Sequence, residues 1–146
     1  MKLLVIGTGG REQALAWACH KSPLCDTLYC APGNPGRAQF AQCININESD
    51  IDGLCQFAKE NEVDLTVVGP EAVLALGIVD AFEKEGLKVF GPTQEATQVE
   101  SSKQFAKEMM KKYFIPTADY ESFDQFDLAW DYVKKQGVPI VIKENG

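Results

Sequence analysis

Apolar residues along this chain repeat in two alternating rhythms. Leu3 to Ile6 is a short apolar run that breaks into Gly7-Thr8-Gly9-Gly10, after which the spacing is helical as far as His20. That pattern predicts strand, tight turn and helix. Thr27 to Cys30 predicts a second strand, running into Ala31-Pro32-Gly33-Asn34-Pro35-Gly36. A brief apolar stretch, Cys43 to Ile46, precedes a helix started by Asp50 and spanning Ile51 to Asn61. Ile51, Leu54, Cys55 and Ala58 share one face of it at helical spacing. Val63 to Val68, closed by Gly69-Pro70, has the signature of a buried strand. A helix from about Leu74 to Lys84, with Gly86 as its C-terminal cap, leads to a short strand, Leu87 to Phe90. Gly91-Pro92-Thr93 closes that strand.

Strands alternating with helices in this way predict an α/β fold with a doubly wound parallel sheet. Ligands of such sheets gather at the carboxyl ends of the strands. Gly7–Gln13, Pro32–Asn34, Gly69–Glu71 and Gly91–Thr93 fall at those ends. The rhythm changes near residue 94, which divides the chain into a first domain, 1–93, and a second part, 94–146. A long helical stretch carrying Lys103, Lys107, Lys111 and Lys112 runs to Phe114, and Ile115-Pro116-Thr117 opens an extended segment to about Phe123. A helix from Asp124 to Gln136 and an apolar strand, Val138 to Ile142, follow. Nothing in the sequence after that strand could cover it, and an uncovered strand is a liability. The chain is therefore expected to stop inside a domain and to self-associate through that strand. There is no internal repeat and no low-complexity segment.

Composition narrows the class. With 146 residues, 45% apolar and 24% charged, the chain has the make-up of an ordinary globular protein. No apolar run approaches the roughly eighteen residues of a membrane span. The basic-then-apolar start is too short for an export signal, and it ends in the glycine turn. A net charge of −7 argues against nucleic acid as a partner. Five cysteines, Cys19, Cys25, Cys30, Cys43 and Cys55, lie scattered without a C-x-x-C pair. They are expected to be reduced and mostly buried in a cytoplasmic protein. His20, at the end of the first helix, suits a dipole contact or solvent better than acid–base work.

The glycine turn is the first candidate for chemistry. A helix start leaves backbone N–H groups unpartnered at the positive end of the dipole, and glycines let a phosphate approach them. Arg11 adds a planar, permanently charged fork. A tight βα turn whose glycines serve packing is the other reading of the same residues. A dinucleotide loop is excluded, because Glu12 stands where the G-x-G-x-x-G fingerprint needs its third glycine. The second strand also ends without the ribose-binding acid. Glu71 could accept hydrogen bonds from vicinal hydroxyls, and Asn34 could donate to a phosphate or hydroxyl, although both residue types also occur as plain turn formers. A phosphate site with a carboxylate at one sheet edge suggests a sugar phosphate.

A resemblance rests on motifs spread in order along the whole chain. They are Val5-Ile6-Gly7-Thr8-Gly9-Gly10-Arg11-Glu12 with Ala14 to Trp17, Ala31-Pro32-Gly33-Asn34, Asp64 to Ala72 and Gly77 to Asp80. Phe90 to Thr93, Ser102-Lys103, Phe105 to Lys107, Ile115-Pro116-Thr117 and Pro139 to Lys143 complete the set. The chain resembles the N-terminal part of the phosphoribosylamine–glycine ligase family, within the ATP-grasp superfamily. The resemblance implies a Rossmann-like pre-ATP-grasp domain followed by the start of an ATP-grasp domain. The family's enzymes join phosphoribosylamine to glycine in purine biosynthesis, using ATP and Mg or Mn to activate glycine as an acyl phosphate. By resemblance, Gly9, Gly10, Arg11, Glu12 and Gln13 would face the sugar phosphate, with Pro32, Gly33, Asn34, Gly69 and Pro70 nearby and Glu71 on the ribose hydroxyls. Lys103 and Lys143 would meet ATP phosphates, and no metal ligand is assigned.

Three positions depart from the family pattern. Gln13 stands where His is common, and it cannot titrate near neutrality. Val73 replaces a proline, and Lys143-Glu144-Asn145-Gly146 replaces Lys-Ala-Asp-Gly. With the metal-binding carboxylates and the glycine site not in view, the chain alone is not expected to catalyse ligation. The alternative is a stand-alone module that senses a phosphosugar or nucleotide. A third reading, an aminoimidazole ribonucleotide carboxylase subunit, is opposed by the paired Gly-Gly-Arg-Glu and Ala-Pro-Gly-Asn motifs.

Overall fold

A computed structural model describes residues 1–143. The chain forms two compact units, Met1–Thr97 and Gln98–Gly146. The first is built on five strands: β1 (Lys2–Gly7), β2 (Thr27–Pro32), β3 (Gln42–Cys43), β4 (Leu65–Val68) and β5 (Val89–Phe90). Their order is β3-β2-β1-β4-β5 and every pair is parallel. The helices are α1 (Gly10–His20), α2 (Ile51–Glu60), α3 (Glu71–Ala75), α4 (Ile78–Lys84) and α5 (Gln94–Ser101), with a 3₁₀ turn at Arg37–Gln39.

β1 lies in the middle and is buried on both faces, which explains its unbroken apolar run. Leu3 and Val5 pack with Ala16, Leu28 and Cys30 on one side. Leu4 and Ile6 pack with Leu54, Ala58, Ile78 and Phe82 on the other. The expected apolar face of α2 is the one it buries, through Leu54, Cys55 and Ala58. Asp50 caps this helix by accepting from Gly53 N at 3.1 Å.

The chain winds outward from β1 through β2 to β3, then returns to place β4 on the opposite side of β1. The order reverses between β1 and β4, and a crevice opens at the carboxyl ends of strands at such a reversal. Register puts Gly7 beside Pro32 and Ile6 beside Val68. The loops that follow β1, β2 and β4 therefore leave the sheet at one level.

Two expected helices are each divided. Instead of one helix over Leu74 to Lys84, α3 begins at Glu71 and stops at Ala75, and Gly77 at φ +86° separates it from α4. Only glycine adopts that left-handed conformation without strain. The stretch from 94 to Phe114 is likewise two helices, α5 and α6 (Lys103–Lys112). Ser102 is extended there, and its Oγ accepts from Phe105 N at 3.2 Å, a cap that competes with helix continuation.

In the second unit, α6 and α7 (Phe126–Gln136) carry no fully buried residue among those described. Lys107 Nζ donates to Thr117 Oγ1 at 2.7 Å and to Ala118 O at 2.8 Å, pinning the extended segment to α6. Phe126 stacks with Trp130 on α7 at 6.4 Å between ring centres. The strand expected at Val138 to Ile142 is not formed, and Val138, Val141 and Ile142 are exposed. A strand is held by hydrogen bonds to a neighbouring strand, and the described residues of this unit contain none. The expected departure at 144–146 lies outside the described residues. No helix among those described is long and apolar enough to cross a membrane.

Leu4 is fully buried on the central strand. Leu4→Ala is expected to destabilise the first unit by about 2–5 kcal/mol, measured by urea denaturation followed by circular dichroism.

Candidate functional site

Gly7 ends β1 at φ +122°, and a Cβ there would stand 2.6 Å from Glu12 Cγ and 2.7 Å from Pro70 Cγ. The turn thus needs glycine both for its conformation and for the closeness of its neighbours. Gly9 then caps α1 without a side chain, and Glu12, in the first turn, reaches back so that its Oε2 accepts from Gly9 N at 2.8 Å. This is the acidic half of a capping box. Glu12 is buried at 3% exposure, and its Oε1 accepts from Arg11 Nε at 3.0 Å. The same carboxylate fills the space over Gly69, where a Cβ would meet Glu12 Oε1 at 2.3 Å and Cγ at 2.4 Å. Gly69 N in turn donates to Ile6 O at 3.3 Å. The loops after β1 and β4 are thereby packed together under the crevice.

Arg11 bridges the same two loops on the outside. Its side chain is half-exposed, and Nη2 donates to Glu71 Oε2 at 2.8 Å. Nη1 has no partner among the described residues. The hydrogen bond from Arg11 holds the Glu71 carboxyl below the ordinary glutamate range. Reciprocally, hydrogen bonds to Glu71 and then Glu12 raise Arg11 further above its usual value. Glu71 is the first residue of α3, directly after Pro70.

The β2 loop supplies the third wall. Pro32 ends the strand, and Gly33 turns at φ +81° against the Cys43 side chain. Asn34 Oδ1 accepts from Arg37 N at 3.0 Å, starting the 3₁₀ turn and leaving its amide nitrogen as a donor. Gln13 and Asn34 flank the same point over Gly36: a Cβ on Gly36 would lie 3.2 Å from Asn34 Oδ1 and 3.4 Å from Gln13 Nε2. Gln13 Oε1 is buried without a hydrogen-bond partner. Gly10 faces open space, with nothing within 4 Å of a Cβ built on it.

The structure brings together the residues singled out from the sequence in the first unit. Gly9 to Gln13, Pro32 to Asn34 and Gly69 to Glu71 lie on three neighbouring loops at the carboxyl ends of β1, β2 and β4, joined by the Arg11–Glu71 pair and by the approach of Gln13 and Asn34 over Gly36, with Glu12 buried between the first and third. Lys103 and Lys143 lie in the second unit, where Lys103 opens α6 and both are exposed. No group of three or more His, Cys, Asp or Glu among the described residues could hold a metal ion. None of the five cysteines forms a disulfide. Cys30 and Cys55 are buried, Cys19 and Cys25 half-buried, and Cys43 exposed, so the thiols are less buried than expected. Burial pushes the Cys30 thiol up to about 11, with the nearby Arg37 charge opposing the shift.

Arg37 is the residue that sequence reasoning missed. It is fully buried, and its guanidinium donates to Gly7 O through Nη1 and to Gly9 O through Nη2, the latter at 2.9 Å. An arginine after Pro35-Gly36 looks like a solvated loop residue. The one local sign was Asn34 three residues earlier, the spacing of a side-chain turn.

Residues 1–100 match the family model described as phosphoribosylglycinamide synthetase, N domain. The chain belongs to the phosphoribosylglycinamide synthetase family. Residues 101–146 match that family's ATP-grasp (A) domain. Over its full 146 residues the chain is 53% identical to a phosphoribosylamine–glycine ligase of Halalkalibacterium halodurans and 55% identical to one of Neisseria meningitidis serogroup B. It covers 34% of each, so it spans about a third of the length of these curated relatives. A crystal structure of phosphoribosylamine–glycine ligase from Thermotoga maritima matches at 27% identity with a TM-score of 0.67. That match covers 92% of this chain and 30% of the other.

Two outcomes test this geometry. Gly69→Ala forces a methyl into the pinned Glu12 carboxylate and is expected to destabilise the first unit by about 1–3 kcal/mol in thermal denaturation. Because the folded Glu71 carboxyl titrates low, its small contribution to stability is present above the ordinary glutamate value. It is lost as pH falls through the lower, folded value. Arg11→Gln is expected to raise the Glu71 carboxyl toward the ordinary glutamate range, while the hydrogen bond from its own backbone keeps part of the lowering, read by carbon-detected NMR titration of the side-chain carboxyl.

Proposed function

We propose that the first unit is the phosphoribosylamine-binding part of an enzyme that joins phosphoribosylamine to glycine at the expense of ATP. The observation that carries this reading is the meeting of three loops at the sheet's reversal point, closed on the outside by the Arg11–Glu71 pair. Family membership and the names of the relatives support the same substrate class.

In this reading the 5-phosphate sits on the open backbone at Gly9 and Gly10, at the positive end of α1. Arg11 offers Nη1 and its charge to the phosphate oxygens. Glu71, kept ionised by Arg11, accepts from the ribose hydroxyls. Asn34 and Gln13 donate from the β2 side, and Pro32, Gly33 and Pro70 shape the walls. Glu12 serves from below, holding the cap and the two loops rather than touching the sugar. Gln13 hydrogen-bonds but carries no proton-linked role near neutral pH.

Lys103 and Lys143 are assigned to ATP phosphates as compact point charges on long stems. ATP supplies the activation of the glycine carboxylate. The described residues do not fit a metal ion, so no step is assigned to one here. Residues 1–93 are read as the sugar-phosphate domain and 94–146 as the beginning of the ATP-grasp domain. The unpaired thiols favour a reducing compartment, the cytoplasm.

Isothermal titration of the purified protein with ribose 5-phosphate tests the site. Saturable binding is expected, and Arg11→Gln should weaken it by about tenfold or more, the worth of a charged hydrogen bond. Unchanged affinity in that variant would remove the phosphate from this loop.

A further inference from the structure

Arg37 carries a consequence for the glycine loop that reaches past packing. Its side chain is fully buried, Nε has no hydrogen-bond partner, and among the described residues no carboxylate forms an ion pair with it. A cation removed from water is costly unless charge or dipoles answer it. Two carbonyl dipoles answer it in part, those of Gly7 and Gly9, the second of which also accepts from Gln13 N at 3.1 Å as the first hydrogen bond of α1.

Those two carbonyls are the ones that set the direction of the loop's donors. A trans peptide is planar, so the N–H of the next residue points opposite to the carbonyl. With the Gly7 and Gly9 carbonyls turned toward Arg37, the N–H groups of Thr8 and Gly10 are turned away from it. The N–H of Gly9 is already engaged by Glu12 Oε2 at 2.8 Å. Thr8 and Gly10 are both exposed, and Gly10 borders open space. Gly10 also begins α1, where the dipole adds partial positive charge.

We infer that Arg37 is a positioning residue for a phosphate monoester: it holds the Gly7 carbonyl on its own side and, together with the Gln13 N–H of α1, the Gly9 carbonyl, so that the Thr8 and Gly10 N–H groups face the ligand, and it supplies a buried positive charge that the phosphate neutralises. This rests on the sugar-phosphate reading above. The loop is bound from below by an arginine that never touches the substrate. Arg11 meets the phosphate from outside, and Arg37 prepares the backbone from inside.

The test compares Arg37→Gln, Arg37→Lys and Arg11→Gln with the wild-type protein. Each is titrated with ribose 5-phosphate and with inorganic phosphate, well below its own melting temperature. Both Arg37 variants lower the melting temperature. Arg37→Gln is expected to weaken ribose 5-phosphate binding about tenfold, whereas Arg37→Lys, which keeps the charge but not the two-armed fork, weakens it less than Arg37→Gln does. Equal weakening in both Arg37 variants, or Arg37→Gln binding within about twofold of wild type, would overturn the inference, leaving Arg37 a strut. Amide NMR of the wild-type protein decides independently if the Gln variant does not fold. Ribose 5-phosphate should shift the Thr8 and Gly10 amides, and stationary peaks there refute the proposed orientation. Loss of the sugar-phosphate reading itself has a different signature, namely no saturable binding by wild type and no effect of Arg11→Gln, and it takes the inference with it.

Discussion

The Glu12 carboxylate, buried beneath the glycine turn, is the contact on which the crevice depends. One oxygen receives the Gly9 N–H and the other the Arg11 Nε. Its methylene packs where Gly7 and Gly69 have no side chains. A single acid therefore caps α1, aims Arg11 and sets the distance between the loops after β1 and β4. Placing that group under the loop is possible only because Gly7, which ends β1, and Gly69, which follows β4, have no side chains. Its position in the first turn of a helix makes the negative charge favourable as well. Arg37 brings a buried positive charge to the Gly7 and Gly9 carbonyls of the same turn. The loop is held by an acid on the Gly9 N–H and a base on the Gly7 and Gly9 carbonyls.

Much of this architecture is visible in the residues themselves. Leu3 to Ile6 could be read as a buried central strand because both faces demand apolar side chains, and Gly7 to Gly10 mark its end. The α2 face at Leu54, Cys55 and Ala58 follows from period alone. The breaks at Gly77 and Ser102 were not legible, since a lone glycine or serine inside a helical pattern is compatible with continuity. What decided them was a left-handed turn at one and a side-chain cap at the other. The strand expected at Val138 to Ile142 shows the converse, because apolar, β-branched composition expresses a tendency and pairing needs a neighbour.

At the crevice, the residue types were legible and the roles were less so. Arg11 and Glu71 were placed at strand ends by pattern, but no sequence rule joins residues so far apart into one ion pair. Glu12 looked like a surface acid facing ligand, and its burial follows from the absence of side chains at Gly7 and Gly69. Arg37 gave almost no sign, because long charged residues in short loops are usually solvated. Its burial depends on the carbonyls of a distant turn, which local periodicity cannot report.

The pairing of Arg11 with Glu71 joins residues 60 positions apart, and β1 pairs with β4 across a similar stretch. Contacts of such sequence separation carry a loop-closure cost that the contacts within a helix do not. The meeting of the three loops is complete only when β1, β2 and β4 are in register. A ligand spanning these three loops would bind the finished sheet and not its partly folded precursors. By mass action it would draw the folding equilibrium of the whole first unit toward the native state.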